Sequence, residues 1–176
     1  MRQVIVSANL IVGVDGSTTA NGSSIGLSND EDRRRFHQLR EKSDLIVIGG
    51  NTARREPYKR TPVPLYILTH SKVRLQPKNQ LAKQFQLTPG QLIEDVRNNF
   101  EGGKSNSVIN LLVESGPKML LEMINESLVD YLYLTVNLNE KGENPISVHE
   151  LVKGFDLIRG ETKDGFEFRC YQKLSY

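Results

Sequence analysis

The apolar positions of this chain fall into short, nearly unbroken runs separated by polar, glycine-bearing segments. Gln3 to Ala8, with Val-Ile-Val at its centre, predicts a first strand that begins almost at residue one. Asp44 to Ile48 is apolar after its first residue, as a central strand covered on both faces should be. Val63 to Thr69 predicts a third strand, which Pro64 restricts to an edge or a strand start, and Phe85 to Leu87 a short fourth. The clearest run is Ser107 to Val113, which stops at Ser115 and Gly116. Pro117 suits a first helical position, and Met119, Leu120, Met123 and Ile124 then recur at helical spacing.

Two further helices are predicted. One begins at Ser28, where Ser28 and Glu31 have capping-box spacing, and runs to about Lys42 with Phe36, Leu39 and Arg40 on one side. The other is capped by Thr88, has Pro89 at its first position and runs to about Phe100. Leu128 to Leu138 reads as a long strand with Tyr131 and Tyr133 on one face and Leu132 and Leu134 on the other. Phe155 to Thr162 and Phe166 to Leu174 flank Asp164-Gly165 and predict a terminal hairpin. The order, β-α-β-β-β-α-β-α-β and a hairpin, predicts an α/β fold of three layers over residues 1–176 as one domain. Its central sheet is mostly parallel, with the C-terminal antiparallel hairpin at one side. Gly13 to Gly22 is a polar loop long enough to carry function.

Composition narrows the classes. A hydrophobic fraction of 38% and a charged fraction of 25% are ordinary for a soluble protein, and a net charge of +2 gives no reason to expect nucleic acid or an acidic membrane. Arg33-Arg34-Arg35 directly follows Asp30-Glu31-Asp32, so it reads as a solvated helix face. The single cysteine, Cys170, forms no internal disulfide and fits a reducing compartment. With neither a signal-peptide pattern nor a membrane-length apolar run, the chain is expected in the cytoplasm.

Two strand-to-helix junctions carry the candidate chemistry: Leu45 to Thr52, through Gly49-Gly50, and Leu111 to Pro117, through Ser115-Gly116. The free amides of a helix start bind anions, and two such junctions suit a pyrophosphate or two phosphoryl groups. Other motifs fail. Gly22-Ser23-Ser24-Ile25-Gly26 matches the nucleophile-elbow spacing, but small and polar residues precede it in place of a buried strand. His37, His70, His149 and Cys170 lack metal-ligand spacing, and neither a Walker sequence nor a G-x-G-x-x-G follows a strand.

Four blocks in order resemble the reductase domain of the riboflavin-biosynthesis bifunctional deaminase–reductase family, which has the dihydrofolate reductase-like fold. They are Val14-Asp15-Gly16; Asp32-Arg33 with His37-Gln38-Leu39-Arg40; Ser43 to Thr52; and Leu111 to Pro117 continuing into Leu128-Val129-Asp130. The resemblance implies an NADPH-dependent oxidoreductase that transfers hydride to an imine-like C=N of a (phospho)ribosylamino-pyrimidine. It implies that Gly49, Gly50, Asn51 and Thr52 cradle one cofactor phosphate and that Glu114, Ser115, Gly116 and Pro117 line the other. Thr69, His70 and Ser71 fall where the family holds the adenosine 2′-phosphate, with Lys72 or Arg74 as countercharge.

On the substrate side the resemblance implies catalytic roles for Asp15 and Glu56, and substrate contacts from Asn9, Arg54 and Arg60. It also implies a homodimer through the late strands. The chain departs from the family in having Gly13 where a Ser is common and Ser17 where a Lys is common. One cysteine cannot supply the zinc ligands of the deaminase half, so a stand-alone reductase is expected. The rival readings are a same-fold reductase of a pterin or another heterocycle, and a nucleotide-binding protein without turnover.

Overall fold

The computed structural model describes residues 1–175. The first strand, β1 (Gln3–Gly13), is flanked on both sides by parallel partners, β6 (Val108–Val113) and β7 (Tyr131–Asn137). Beyond β6 the parallel sheet continues through β3 (Leu45–Gly49) and β4 (Leu65–Leu68) to β5 (Ala82–Phe85) at the edge. Beyond β7 the direction reverses in β10 (Phe166–Lys173) and again in β9 (Phe155–Lys163), giving the order β5-β4-β3-β6-β1-β7-β10-β9. A separate two-stranded ribbon pairs β2 (Ser17–Thr19) with β8 (Glu143–Pro145).

The sheet is covered on both faces at β3 and β4, which is why these strands are buried almost throughout, whereas burial alternates along β1. Val6, Ala8, Leu111 and Leu132 pack against Leu92, Ile93 and Val96 of α3 (Pro89–Asn99), Leu120 and Met123 of α4 (Pro117–Asn125) and Leu151 of α5 (Val148–Val152). On the other face Ile46, Ile48, Ile67 and Leu112 meet Ala53 of α2 (Gly50–Arg55) and Leu39 of α1 (Asp30–Lys42). Among the described residues no helix is long and apolar enough to cross a membrane.

Several element boundaries differ from those expected. β1 runs to Gly13, and the expected long loop becomes the β2–β8 ribbon with a short 3-10 turn at Ser24–Leu27. The α1 cap is Asn29, whose side chain accepts from the Asp32 amide at 2.8 Å; Ser28 instead donates to the Asp32 carboxylate at 2.6 Å. Glu31 is thereby released to pair with Arg34, Arg35 and Lys163. The arginine triplet is correspondingly paired rather than simply solvated, and Arg35 lies 3.9 Å over the Phe168 ring. The edge strand is Ala82–Phe85, earlier than expected, and β4 is second from that edge with Pro64 just outside it.

Asp44, the first residue of one expected strand, and Asp130, the third of the expected Leu128 to Leu138, lie just before β3 and β7 and cap the sheet instead. Asp44 accepts from the Lys104 and Asn110 amides at 2.8 Å, and Asp130 from the Val6 amide at 2.9 Å. The terminal hairpin forms as predicted, with positive φ at Asp164 (52°) and Gly165 (78°), as a tight two-residue turn requires.

Candidate active site

The carboxyl ends of β1, β3, β4 and β6 open into one large cleft of about 1150 Å³, the position at which open α/β sheets bind ligands. The sheet order determines what faces it. β6 lies between β3 and β1, so the β6–α4 junction forms the cleft floor and the β3–α2 junction one wall.

The two junctions touch. The Thr52 hydroxyl accepts from the Gly116 amide at 3.1 Å, so the start of α2 is bonded to the start of α4. Gly50 is required here: a Cβ at that position would lie 2.7 Å from the Thr69 hydroxyl oxygen. The missing side chain brings the α2 backbone up to the segment that follows β4. There the Thr69 hydroxyl accepts from the Ser71 amide at 3.1 Å, and the His70 carbonyl accepts from Gln86 at 3.2 Å. Gly49, Gly50, Asn51, Thr52, Thr69, His70, Ser71, Glu114, Ser115, Gly116 and Pro117 all line the cleft, as do Asn9, Arg54 and Glu56. Arg54 donates to the Asn51 side chain at 3.2 Å. Arg60, Lys72 and Arg74 are exposed and stand outside the lining.

The floor holds a buried ionic cluster. Arg40 of α1 donates through Nε and Nη2 to the two carboxylate oxygens of Glu114, both at 2.8 Å, and the Tyr58 hydroxyl donates to the same carboxylate at 2.8 Å. Glu114's side chain is 2% exposed and Arg40's 13%. The guanidinium is stacked between the Phe36 ring at 4.3 Å and the Tyr58 ring at 5.1 Å. Burial opposes the charge on Arg40, but the hydrogen bonds and charge of Glu114 overcome it and raise its pKa further. Burial, and next the neighbouring Glu114 carboxylate, hold the Tyr58 hydroxyl protonated well above its ordinary range. Glu114 was expected beside the cofactor; its carboxylate is instead taken up by this pair of donors.

Two expected catalytic acids are placed differently. Asp15 is exposed in the β1–β2 turn, outside the cleft lining, where it accepts from the Ser17 amide at 3.1 Å. Ser17 beside it holds the carboxyl below its ordinary range. Glu56 does line the cleft, and its carboxylate accepts from the Ser23 hydroxyl and from both the hydroxyl and the amide of Ser24. Sequence reasoning missed the cleft-facing side of α1, which carries Arg33, Phe36, His37 and Arg40. Their spacing of three and four was the available signal, but polar residues at that spacing read equally as a solvated face.

The sequence matches the RibD C-terminal domain family over residues 4–137. No curated protein sequence matches the chain significantly. Among solved structures, a pyrimidine reductase-like protein from Corynebacterium diphtheriae superposes with a TM-score of 0.73 at 17% identity, covering 98% of this chain and 92% of that one. RibD from Acinetobacter baumannii matches with a TM-score of 0.75 at 13% identity. A diaminohydroxyphosphoribosylaminopyrimidine deaminase/5-amino-6-(5-phosphoribosylamino)uracil reductase from Thermotoga maritima matches with a TM-score of 0.72 at 14% identity. The chain spans 59% and 57% of the length of these last two proteins. At such identities the likeness speaks for the fold, a dihydrofolate reductase-like sheet, and the family match extends it to sequence. The chain belongs to the RibD C-terminal domain family.

Proposed function

We propose that this protein is an NADPH-dependent reductase of a (phospho)ribosylamino-pyrimidine, acting in riboflavin biosynthesis. The observation that carries the reading is the pair of bonded junctions, Gly49 to Thr52 and Ser115 to Pro117, beneath Thr69 to Ser71. Backbone amides at two adjacent helix starts suit a pyrophosphate, and hydroxyls at Thr69 and Ser71 suit an added phosphate. Gly50 lets the start of α2 close on Thr69, which brings the amide-bearing junctions and the Thr69 and Ser71 hydroxyls together as a dinucleotide requires. A cleft of about 1150 Å³ exceeds what one small ligand fills and has room for cofactor and substrate together.

When bound, the nicotinamide cofactor supplies the hydride for the carbon of the imine-like bond. The chain's own residues position and shield. Asn9, Arg33, Arg54 and His37 offer polar groups to the substrate from β1, from α1 and from α2. The Arg40–Glu114–Tyr58 cluster sets the height of the floor between α1 and α4, and a rigid floor keeps reacting atoms at near-attack distance.

Thermal shift with NADPH, NADH and no ligand tests the cofactor. At about 100 times the dissociation constant a ligand adds roughly 2.7 kcal/mol, which raises the Tm of a chain this size by about 5–11 °C. A rise with NADPH and little with NADH supports the phosphate site at Thr69 to Ser71. Equal rises remove that site, and no rise with either removes the cofactor. A rival reading, a nucleotide-binding protein without turnover, is favoured by one observation: Asp15 lies outside the cleft, and Glu56 and Glu114 are already hydrogen-bonded. Oxidation of NADPH with the pyrimidine, against a dihydrofolate control, separates reductase, same-fold relative and silent binder.

The family also implies a homodimer through the late strands. Leu132 and Leu134 are buried in the protomer's own core, whereas Leu157 and Ile158 are exposed on the sheet-edge strand β9 and are available to a second copy. Light scattering at micromolar concentration gives the mass, and a monomer mass removes the dimer.

A further inference from the structure

Residues 20–26 form a strap that crosses the cleft mouth. The strap leaves β2 beyond β1, and its far contact is Glu56 at the end of α2, beyond β3. Gly22, Ser24 and Ile25 of the strap line the same cleft as Glu114. Both its roots are secured. At one, the Thr19 hydroxyl and the Gly22 amide donate to the Glu143 carboxylate at 3.0 and 3.1 Å; at the other, the buried Leu27 carbonyl accepts from Asn137 at 2.8 Å. Between the roots, every hydrogen bond that residues 20–26 make to the α2 wall, among the described residues, ends on one side chain, Glu56. Its carboxylate accepts from the Ser23 hydroxyl at 3.1 Å, the Ser24 hydroxyl at 3.1 Å and the Ser24 amide at 3.2 Å. The Ile25 amide donates in turn to the Ser23 hydroxyl at 3.2 Å, extending the grip by a residue.

Glu56 is itself held from behind. The Gln76 side chain donates to the Glu56 carbonyl at 2.8 Å and to the Ala53 carbonyl at 2.7 Å, and accepts from the Tyr58 amide at 3.0 Å. A carboxylate that accepts several hydrogen bonds and is anchored through its own backbone is a fixed post. The three bonds converge on Oε1, and the Ser23 hydroxyl lies 3.3 Å from Oε2, so the carboxylate is oriented by the strap it holds. The strap it holds presents Ser24 and Ile25 to the cleft, and Ile25 is 53% exposed, an apolar group facing the space where a ligand would sit.

We propose that Glu56 is a positioning residue: it clasps Ser23 and Ser24, keeps the strap closed across the cleft, and so sets the affinity for substrate without taking part in the chemistry. The clasp stands on the geometry of the free protein; its effect on substrate rests on the reductase reading. Two substitutions separate reach from charge. Glu56→Asp keeps the carboxylate but shortens the arm by one methylene, and Glu56→Gln keeps the arm but loses the charge.

Hydrogen exchange on the free protein reads the clasp directly. In Glu56→Asp the Ser24 and Ile25 amides exchange at least ten-fold faster while protection in β3 and β6 is unchanged; in Glu56→Gln they change less. In turnover, Glu56→Asp raises KM for the pyrimidine about ten-fold, with kcat and the Kd of NADPH within two-fold of the parent. Replacing both serines, Ser23→Ala with Ser24→Ala, loosens the same amides from the other side and serves if Glu56→Asp fails to fold. Unchanged exchange at Ser24 and Ile25 in Glu56→Asp overturns the clasp. Faster exchange with an unchanged KM overturns the positioning role. Turnover retained in Glu56→Asp and lost in Glu56→Gln makes the carboxylate a substrate contact instead. If NADPH neither binds nor is consumed, the reductase reading falls while the exchange result still decides the clasp.

Discussion

Arg40→Met removes the cation from beneath the cleft while leaving a side chain of similar length between Phe36 and Tyr58. Glu114 then keeps only the Tyr58 hydroxyl, at 2.8 Å, in a site where its side chain is 2% exposed. Breaking a buried ion pair by deleting one partner costs about 3–5 kcal/mol, because the remaining charge keeps its desolvation penalty and loses its partner. The two Arg40–Glu114 bonds at 2.8 Å and the stacking on both rings place this site toward the upper part of that range. For a chain of this size the loss corresponds to a fall in Tm of about 6–20 °C. Urea denaturation followed by circular dichroism reads it, with the m-value unchanged if the unfolded state is unaffected.

The diagnostic variant is the double substitution Arg40→Met with Glu114→Gln. Removing the stranded charge should restore about 1–3 kcal/mol relative to Arg40→Met alone, a coupling that distant, independent sites would not show. A loss under about 1 kcal/mol in Arg40→Met would refute the reasoning, since exposed pairs cost that little. So would a double variant no more stable than the single one.

Three further outcomes follow from the same geometry. Tyr58→Phe loses one buried hydrogen bond to a carboxylate and should cost about 1.5–3 kcal/mol by the same urea assay. The bonds from Arg34 and then Arg35 hold the Glu31 carboxyl down to about 2 from its ordinary 4.5, so its contribution is complete above pH 4.5 and is lost as pH falls toward 2. Melting curves across that window should therefore fall less steeply for Glu31→Gln than for the parent, and parallel curves would remove Glu31 from the acid limb. A Cβ at Gly142 would lie 2.1 Å from the Thr19 carbonyl oxygen, so Gly142→Ala must push β8 off β2 and cost about 1–3 kcal/mol. Gly160 has nothing within 4 Å of the same atom, and Gly160→Ala in the exposed β9 should stay within about 0.5 kcal/mol; equal effects at the two glycines would refute the packing account.

The amino-acid sequence by itself determined what depends on near neighbours. β6 and α4 were legible because an apolar run, a Gly-Pro breaker and a helical stripe follow one another within Val108 to Ile124. The hairpin was legible because Asp164 and Gly165 can take positive φ and the runs beside them cannot. The two glycine junctions and the family blocks were legible for the same reason, each being a contiguous stretch. What escaped was set by partners distant in the chain. β2 and β8 have three residues each and exist only by pairing with one another across more than a hundred positions. Of α2 only the start was legible, at the Gly49-Gly50 junction; its six residues carry no apolar stripe from which its length could be read.

Only the tertiary structure decided which carboxylates are free. Glu114 and Glu56 both reach the cleft, but Arg40 and Tyr58 claim the first and Ser23 and Ser24 the second, while Asp15 turns to Ser17 at the surface. A residue's type states which bonds it can make. Which of them it does make depends on the groups that sheet order and loop closure bring within about 3 Å of it, and no local pattern along the chain encodes that neighbourhood.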